Sequence, residues 1–135
     1  KEFGTTTGRA RRIGWFDAVA ARYSCLLNGF TGLVVTRLDI LDGFKTVKIC
    51  VGYRANGQDV PRFPANTGLL ERCEPVYEEL AGWVEPTASA TSMSQLPVNA
   101  VNYIQRIEDL LACRVQIVST GPSRGETILR ESMIP

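Results

Sequence analysis

Two short strand-like segments constrain this chain most: the unbroken apolar run Gly32-Leu33-Val34-Val35-Thr36, and Arg114 to Val118, each followed by a polar loop. An apolar run of this length without alternation suits a strand buried on both faces, Arg114 to Val118 reads as another buried strand, and such strands occur in sheets covered by helices. Helical patterns stand before and between them. From Trp15 to Asn28 the apolar positions Trp15, Phe16, Val19, Ala20, Tyr23, Leu26 and Leu27 recur at helical spacing, and Asn28-Gly29 supplies a stop. A second helix is predicted to start near Pro97, to bury Val101, Ile104, Ile107, Leu110 and Leu111 along one stripe, and to end near Cys113.

Between the segments the pattern changes. Lys45 to Arg54 alternates, with Val47, Ile49, Val51 and Tyr53 on one face, and Asn56-Gly57 signals a hairpin returning through Asp59 to Phe63. Thr67 to Arg72 fits one helical turn, and Cys73 to Leu80 fits an edge strand, where Pro75 is tolerated. Pro86 to Met93 is small, polar and aperiodic, which predicts a surface connection. No internal repeat is present. The economical architecture is a single unit over 1–135 of the α/β class (mixed α+β), a mixed sheet with flanking helices and a β-hairpin.

Composition narrows the function classes. Apolar residues are 44% and charged residues 21%, which places the chain with globular domains. A net charge of +1 gives no broad field for nucleic acid or an anionic membrane, so neither is expected as a partner and any polyanion site must be local. No apolar run approaches the roughly 18 residues of a spanning helix, and the first residues lack a secretory apolar segment, so a cytoplasmic location is expected. Cys25, Cys50, Cys73 and Cys113 are widely spaced, without a CxxC pair or any histidine to complete a zinc shell; reduced, mostly buried thiols are expected. Without histidine the chain cannot build a Ser-His or Cys-His nucleophile pair.

Three loops carry residues suited to ligand chemistry. The first, Thr5-Thr6-Thr7-Gly8-Arg9-Ala10-Arg11-Arg12, combines glycine for close backbone approach, hydroxyl donors, and arginine forks for carboxylate or phosphate oxygens. Composition alone does not separate this from a basic terminal tract. The second, Thr36-Arg37-Leu38-Asp39, has the layout of a guanine reader: a carboxylate accepts from the paired donors of the base edge, while a long cationic stem covers the ring. An isolated match of four residues equally describes a surface Arg-Asp turn. The third, Ser119-Thr120-Gly121-Pro122, follows the second strand-like segment and could bring main-chain groups to the other side of a flat base. Asp42, Glu71, Glu78 and Glu79 form no acid-base constellation and are assigned to exposed faces.

Taken in order, GTTTGRARRIGWFDAVAARY, LVVTRLDILDG, EPVYEELAGW, LPVNAVNYIQRIEDL and STGPSRGETI resemble successive segments of the C-terminal part of adenylosuccinate synthetases. The resemblance implies part of a larger P-loop-related synthetase fold and a role in purine nucleotide biosynthesis. The family is a homodimeric, magnesium-dependent ligase that forms adenylosuccinate from IMP and L-aspartate with GTP hydrolysis. It implies that Thr5, Thr6, Thr7, Gly8, Arg9, Ala10 and Arg11 belong to the loop closing over aspartate, with Arg9 also reaching IMP and Arg11 touching GTP. Arg37, Leu38 and Asp39, with Ser119, Thr120 and Gly121, would form the guanine site.

Three positions depart from the family pattern: Ala10 where proline or lysine is common, Arg37 where lysine is usual, and Ser123 where aspartate is frequent. The family's phosphate loop, catalytic aspartate and catalytic histidine lie N-terminal to the matched region, so no catalytic or metal-binding residue is expected within this stretch. Magnesium would be held by that N-terminal portion. The chain alone is then expected to be inactive. The alternative is a noncatalytic guanine-nucleotide-binding or interaction module derived from the same fold.

Overall fold

Pro97, which has no N–H to donate, fixes the start of the longest helix. In the computed structural model, which describes residues 3–10 and 13–130, helix α3 spans Val98–Leu111 and ends at Ala112, whose left-handed backbone (φ 50°) returns its N–H to the Glu108 carbonyl. Its inward face is Ala100, Tyr103, Ile104, Ile107 and Leu111. The predicted stripe is therefore rotated: Val101 and Leu110 are half-buried flanks, and Ala100 and Tyr103 take the centre. Burial pushes the Tyr103 phenol up to about 12.

The first helix is shorter than its apolar pattern. Asp17 is extended and its carboxylate accepts from the N–H groups of Val19 and Ala20, both at 3.0 Å, so α1 runs Ala18–Asn28. Gly29 closes it in the left-handed conformation at φ 61°, as its sequence position predicts. The residues before the cap are not helical: β1, Phe16–Asp17, pairs in parallel with β3, Thr46–Ala55, through Phe16 opposite Ile49. Only Ala18 of α1 is fully buried, and Leu26 and Leu27 are exposed.

Strand β3 organises the first sheet. Asn56 at φ 52° and Gly57 at φ 77° turn the predicted hairpin into β4, Gln58–Val60. On its other side β3 pairs antiparallel with β5, Glu74–Ala81, which has no further neighbour among the described strands; Pro75 sits there opposite Tyr53. A register shift between Cys50 and Gly52 breaks the expected alternation, so Val51 is half-buried while Val47, Ile49 and Tyr53 are buried. The short α2, Thr67–Leu70, is capped by the Asn66 side chain.

The two strand-like segments form a second, three-stranded sheet, which is mixed, as is the first. β2, Leu33–Val35, pairs in parallel with β6, Val115–Ser119, and β6 pairs antiparallel with β7, Thr127–Leu129, a strand the sequence pattern does not announce. Within this chain β2 is not covered on both faces, since Val34 is 58% exposed. Both sheets meet α3 in one core that includes Val47, Ile49, Ile104, Ile107, Val115 and Val118. All four cysteines are free; Cys50 is buried and the other three are half-buried. No helix among the described residues is long and apolar enough to cross a membrane.

Two expectations about the middle of the chain fail together. Asp42, assigned above to an exposed face, accepts from Trp83 Nε1 at 2.7 Å, from the Thr87 N–H at 2.8 Å and from the Thr87 hydroxyl at 3.0 Å. The 86–93 segment is accordingly not wholly a surface connection, because Thr87 and Ala90 are buried. Thr87 can be buried in a polar segment because the carboxylate satisfies its donors. Glu78 is likewise engaged, in a two-point pair with Arg106 of α3 at 2.8 Å per bond, and Glu79 pairs with Lys48 at 2.8 Å. Gly82 is required by close approach: a Cβ there would lie 1.9 Å from the Phe44 carbonyl oxygen.

Removing the Asp42 carboxylate strands buried donors, each worth roughly 1–3 kcal/mol. We expect Asp42→Ala to lower the urea midpoint clearly and Asp42→Asn, which keeps one acceptor oxygen, to lower it less. Equal midpoints for the parent and Asp42→Ala would contradict the network.

Candidate functional site

The parallel pairing of β2 with β6 places two of the three chemical loops side by side. Val35 is opposite Val118, so Thr36 to Asp39 and Ser119 to Gly121 leave neighbouring strands at the same, C-terminal, end. In open α/β sheets this end favours ligand binding.

Arg37 is the first residue of the turn and has a left-handed backbone at φ 58°, ψ 49°. The chain then enters a short 3-10 helix, Leu38–Leu41. Leu38, 1% exposed, anchors that turn in the core, so its side chain is committed to packing and only its main chain can meet a ligand. Asp39, the next residue, faces outward enough for its carboxylate to be engaged by Arg37: Nε donates to Oδ1 and Nη2 to Oδ2, each at 2.9 Å. These bonds, helped by the N–H groups of Asp39 and Ile40, hold the carboxyl below the usual carboxylate range despite partial burial. The stem of Arg37 also lines a groove of about 300 Å³ with Trp15, Thr36, Ile40 and Tyr103.

The adjoining loop is more tightly built than its small residues suggest. Thr120 is fully buried, its N–H donates to the Glu126 carbonyl at 2.8 Å and its hydroxyl to the Ala90 carbonyl at 3.5 Å. Gly121 is buried against Glu126, whose carboxylate lies 2.4 Å from where a Cβ would stand. The same carboxylate accepts from the Ser123 N–H at 2.8 Å. Ser119 donates to the Gly121 carbonyl at 2.7 Å. Thr120 therefore shapes the loop through its side chain, leaving ligand contact to half-buried Ser119 and to main-chain edges. Glu126, which closes this loop, carried no signal in the sequence because its partner is a turn amide.

The arginine loop folds on itself before β1. Phe3 and Ala10 form an isolated antiparallel bridge, Gly4 donates to the Arg9 carbonyl at 2.8 Å, and Gly8 donates to the Gly4 carbonyl at 2.8 Å. Gly8 turns the chain at φ 61°, a conformation that favours glycine. Thr5, Thr6, Thr7, Arg9 and Ala10 are all exposed, and the Arg9 N–H reaches the Thr7 hydroxyl at 3.4 Å. Arg11 lies outside the described residues.

Among the described residues no three His, Cys, Asp or Glu side chains gather as a metal cluster.

A family model described as adenylosuccinate synthetase matches residues 1–128. The chain is 52% identical over 132 residues to an adenylosuccinate synthetase of Carboxydothermus hydrogenoformans, covering 98% of this chain and 31% of that protein. It is 52% identical over 129 residues to that of Dehalococcoides mccartyi, covering 96% of this chain and 30% of the relative. It thus spans about a third of the curated relatives it matches. Among solved structures, fully ligated adenylosuccinate synthetase from Plasmodium falciparum superimposes with a TM-score of 0.91 at 33% identity, over 96% of this chain and 32% of that one.

The Arg37 bonds set a pH expectation. A carboxyl held below its unfolded value, about 3.9, contributes stability above that value and loses it as pH falls through the depressed folded value. Carboxyl NMR should show Asp39 titrating below the ordinary aspartate value, and Arg37→Met should move it upward. A titration unchanged by that substitution would contradict the pairing.

Proposed function

The chain belongs to the adenylosuccinate synthetase family, and from that premise we propose that the protein carrying it joins L-aspartate to IMP at the expense of GTP. Residues 1–135 act in it as one unit that recognises the base of GTP and the carboxylates of aspartate. Asp39 accepts from the two adjacent N–H donors of guanine. Adenine presents an acceptor at one of those positions and is disfavoured by the charge. Arg37 covers the ring, and the Ser119–Gly121 edge bounds the base opposite. Arg9, on its exposed loop, binds an aspartate carboxylate and reaches IMP, while Arg11 meets GTP.

In this reading GTP phosphorylates the 6-oxygen of IMP, and the aspartate amine then displaces that phosphate. Magnesium, bound by the rest of the protein, would ease the phosphoryl transfer. The contribution of residues 1–135 is to hold and orient the reactants, which lowers the barrier by fixing their approach. A cytoplasmic homodimer is the assembly we assign to the full protein. The observation that carries the reading is the carboxylate at the C-terminal end of β2, flanked by an arginine and set beside the β6 loop by the parallel register.

In the full-length protein, Asp39→Asn should raise the KM for GTP at least tenfold, because one acceptor becomes a donor facing a donor, and should narrow the preference for GTP over other purine triphosphates. An unchanged nucleotide preference would remove Asp39 from the site. Arg9→Leu should raise the KM for aspartate by about 10- to 100-fold, as expected for loss of a charge-assisted pair, with the melting temperature nearly constant. A melt that collapses together with activity would assign Arg9 a structural role instead.

A further inference from the structure

The two donors that Arg37 presents to Asp39 have the same arrangement as the edge the carboxylate is assigned to read. Nε–H and Nη2–H are adjacent, near-parallel N–H groups on a planar frame, each 2.9 Å from one carboxylate oxygen. The N1–H and 2-amino N–H of guanine are also two adjacent, near-parallel donors. The left-handed backbone of Arg37 bends the chain so that the fork reaches a residue only two positions on. A non-glycine residue seldom holds that conformation unless its surroundings fix it.

We propose that Arg37 is an internal competitor for the base: its guanidinium occupies the guanine-reading face of Asp39 when no nucleotide is bound and must leave before guanine can pair there. The proposal rests on the assignment of Asp39 as the guanine reader. Arg37 then determines affinity in two opposite ways. Its pairing with Asp39 withholds the acceptors from GTP, and its release supplies a cation to lie over the ring. The observed affinity is the intrinsic affinity reduced by the fraction of molecules in which the pair is open. Arginine suits this role better than lysine because only the planar fork fills both oxygens at once, whereas an ammonium makes a single, better hydrated contact. Arg37 has a half-exposed side chain, 41% accessible, so the fork can swing away without unpacking the core.

The test uses the full-length protein and GTP binding without IMP or aspartate, measured by stopped-flow for association and by calorimetry for affinity. Arg37→Lys should associate faster and bind GTP roughly three- to tenfold more tightly, the range expected for removing a partly exposed two-point pair. Arg37→Met, which keeps the stem and removes every donor, should also associate faster even if poorer coverage of the ring speeds release. Association no faster than the parent in both variants overturns the proposal. Asp39→Asn separates the two levels. If it abolishes GTP preference while both Arg37 variants bind no faster, the reader assignment stands and the competition fails. If it leaves GTP preference intact, the reader assignment itself fails and the competition with it.

Discussion

The parallel register of Leu33–Val35 against Val115–Ser119 is the constraint on which the site depends. Parallel strands share a direction, so both segments leave the sheet at one end, and two loops distant in sequence become neighbours. Helix α3 is the last element of the long connection from β2 to β6, and its buried face of Ala100, Tyr103, Ile104, Ile107 and Leu111 holds it against the core. The site geometry is thus inherited from apolar packing below it.

That inheritance explains which parts could be read from the amino-acid order. The second helix, the Asn56-Gly57 hairpin and strands β2 and β6 follow from local rules, namely a first-turn proline, a positive-φ turn pair and short segments rich in valine and isoleucine. Strand β1 was hidden because Trp15 and Phe16 continue the helical spacing of α1, while the Asp17 cap, which starts that helix, needs an extended residue. Strand β7 was hidden because three residues give no period, and its existence depends on pairing with β6. Asp42 was misjudged because its partners, Trp83 and Thr87, are far away in sequence. The adjacency of Arg37, Asp39 and the Ser119 loop was legible from strand-end positions, but the pairing within Arg37-Leu38-Asp39 was not. It requires the left-handed backbone at Arg37, which no residue type there announces.

The Asp39 carboxylate is firmly mounted from both sides. Leu38 lies in the core on one side of it, and Asp42 is bound to Trp83 and Thr87 on the other, so the turn from 38 to 42 is pinned at each end. The Arg37 side chain, 41% accessible against 19% for Asp39, is the more exposed member of the pair.

The outer strand Glu74–Ala81 also governs how this molecule behaves in a crowded solution. Its outer backbone groups are the sort that recruit a second chain and begin aggregation. Pro75 cannot donate a ladder hydrogen bond, and Glu74 beside it is exposed. Another copy approaching edge to edge there would meet a missing donor, which opposes pairing through this strand.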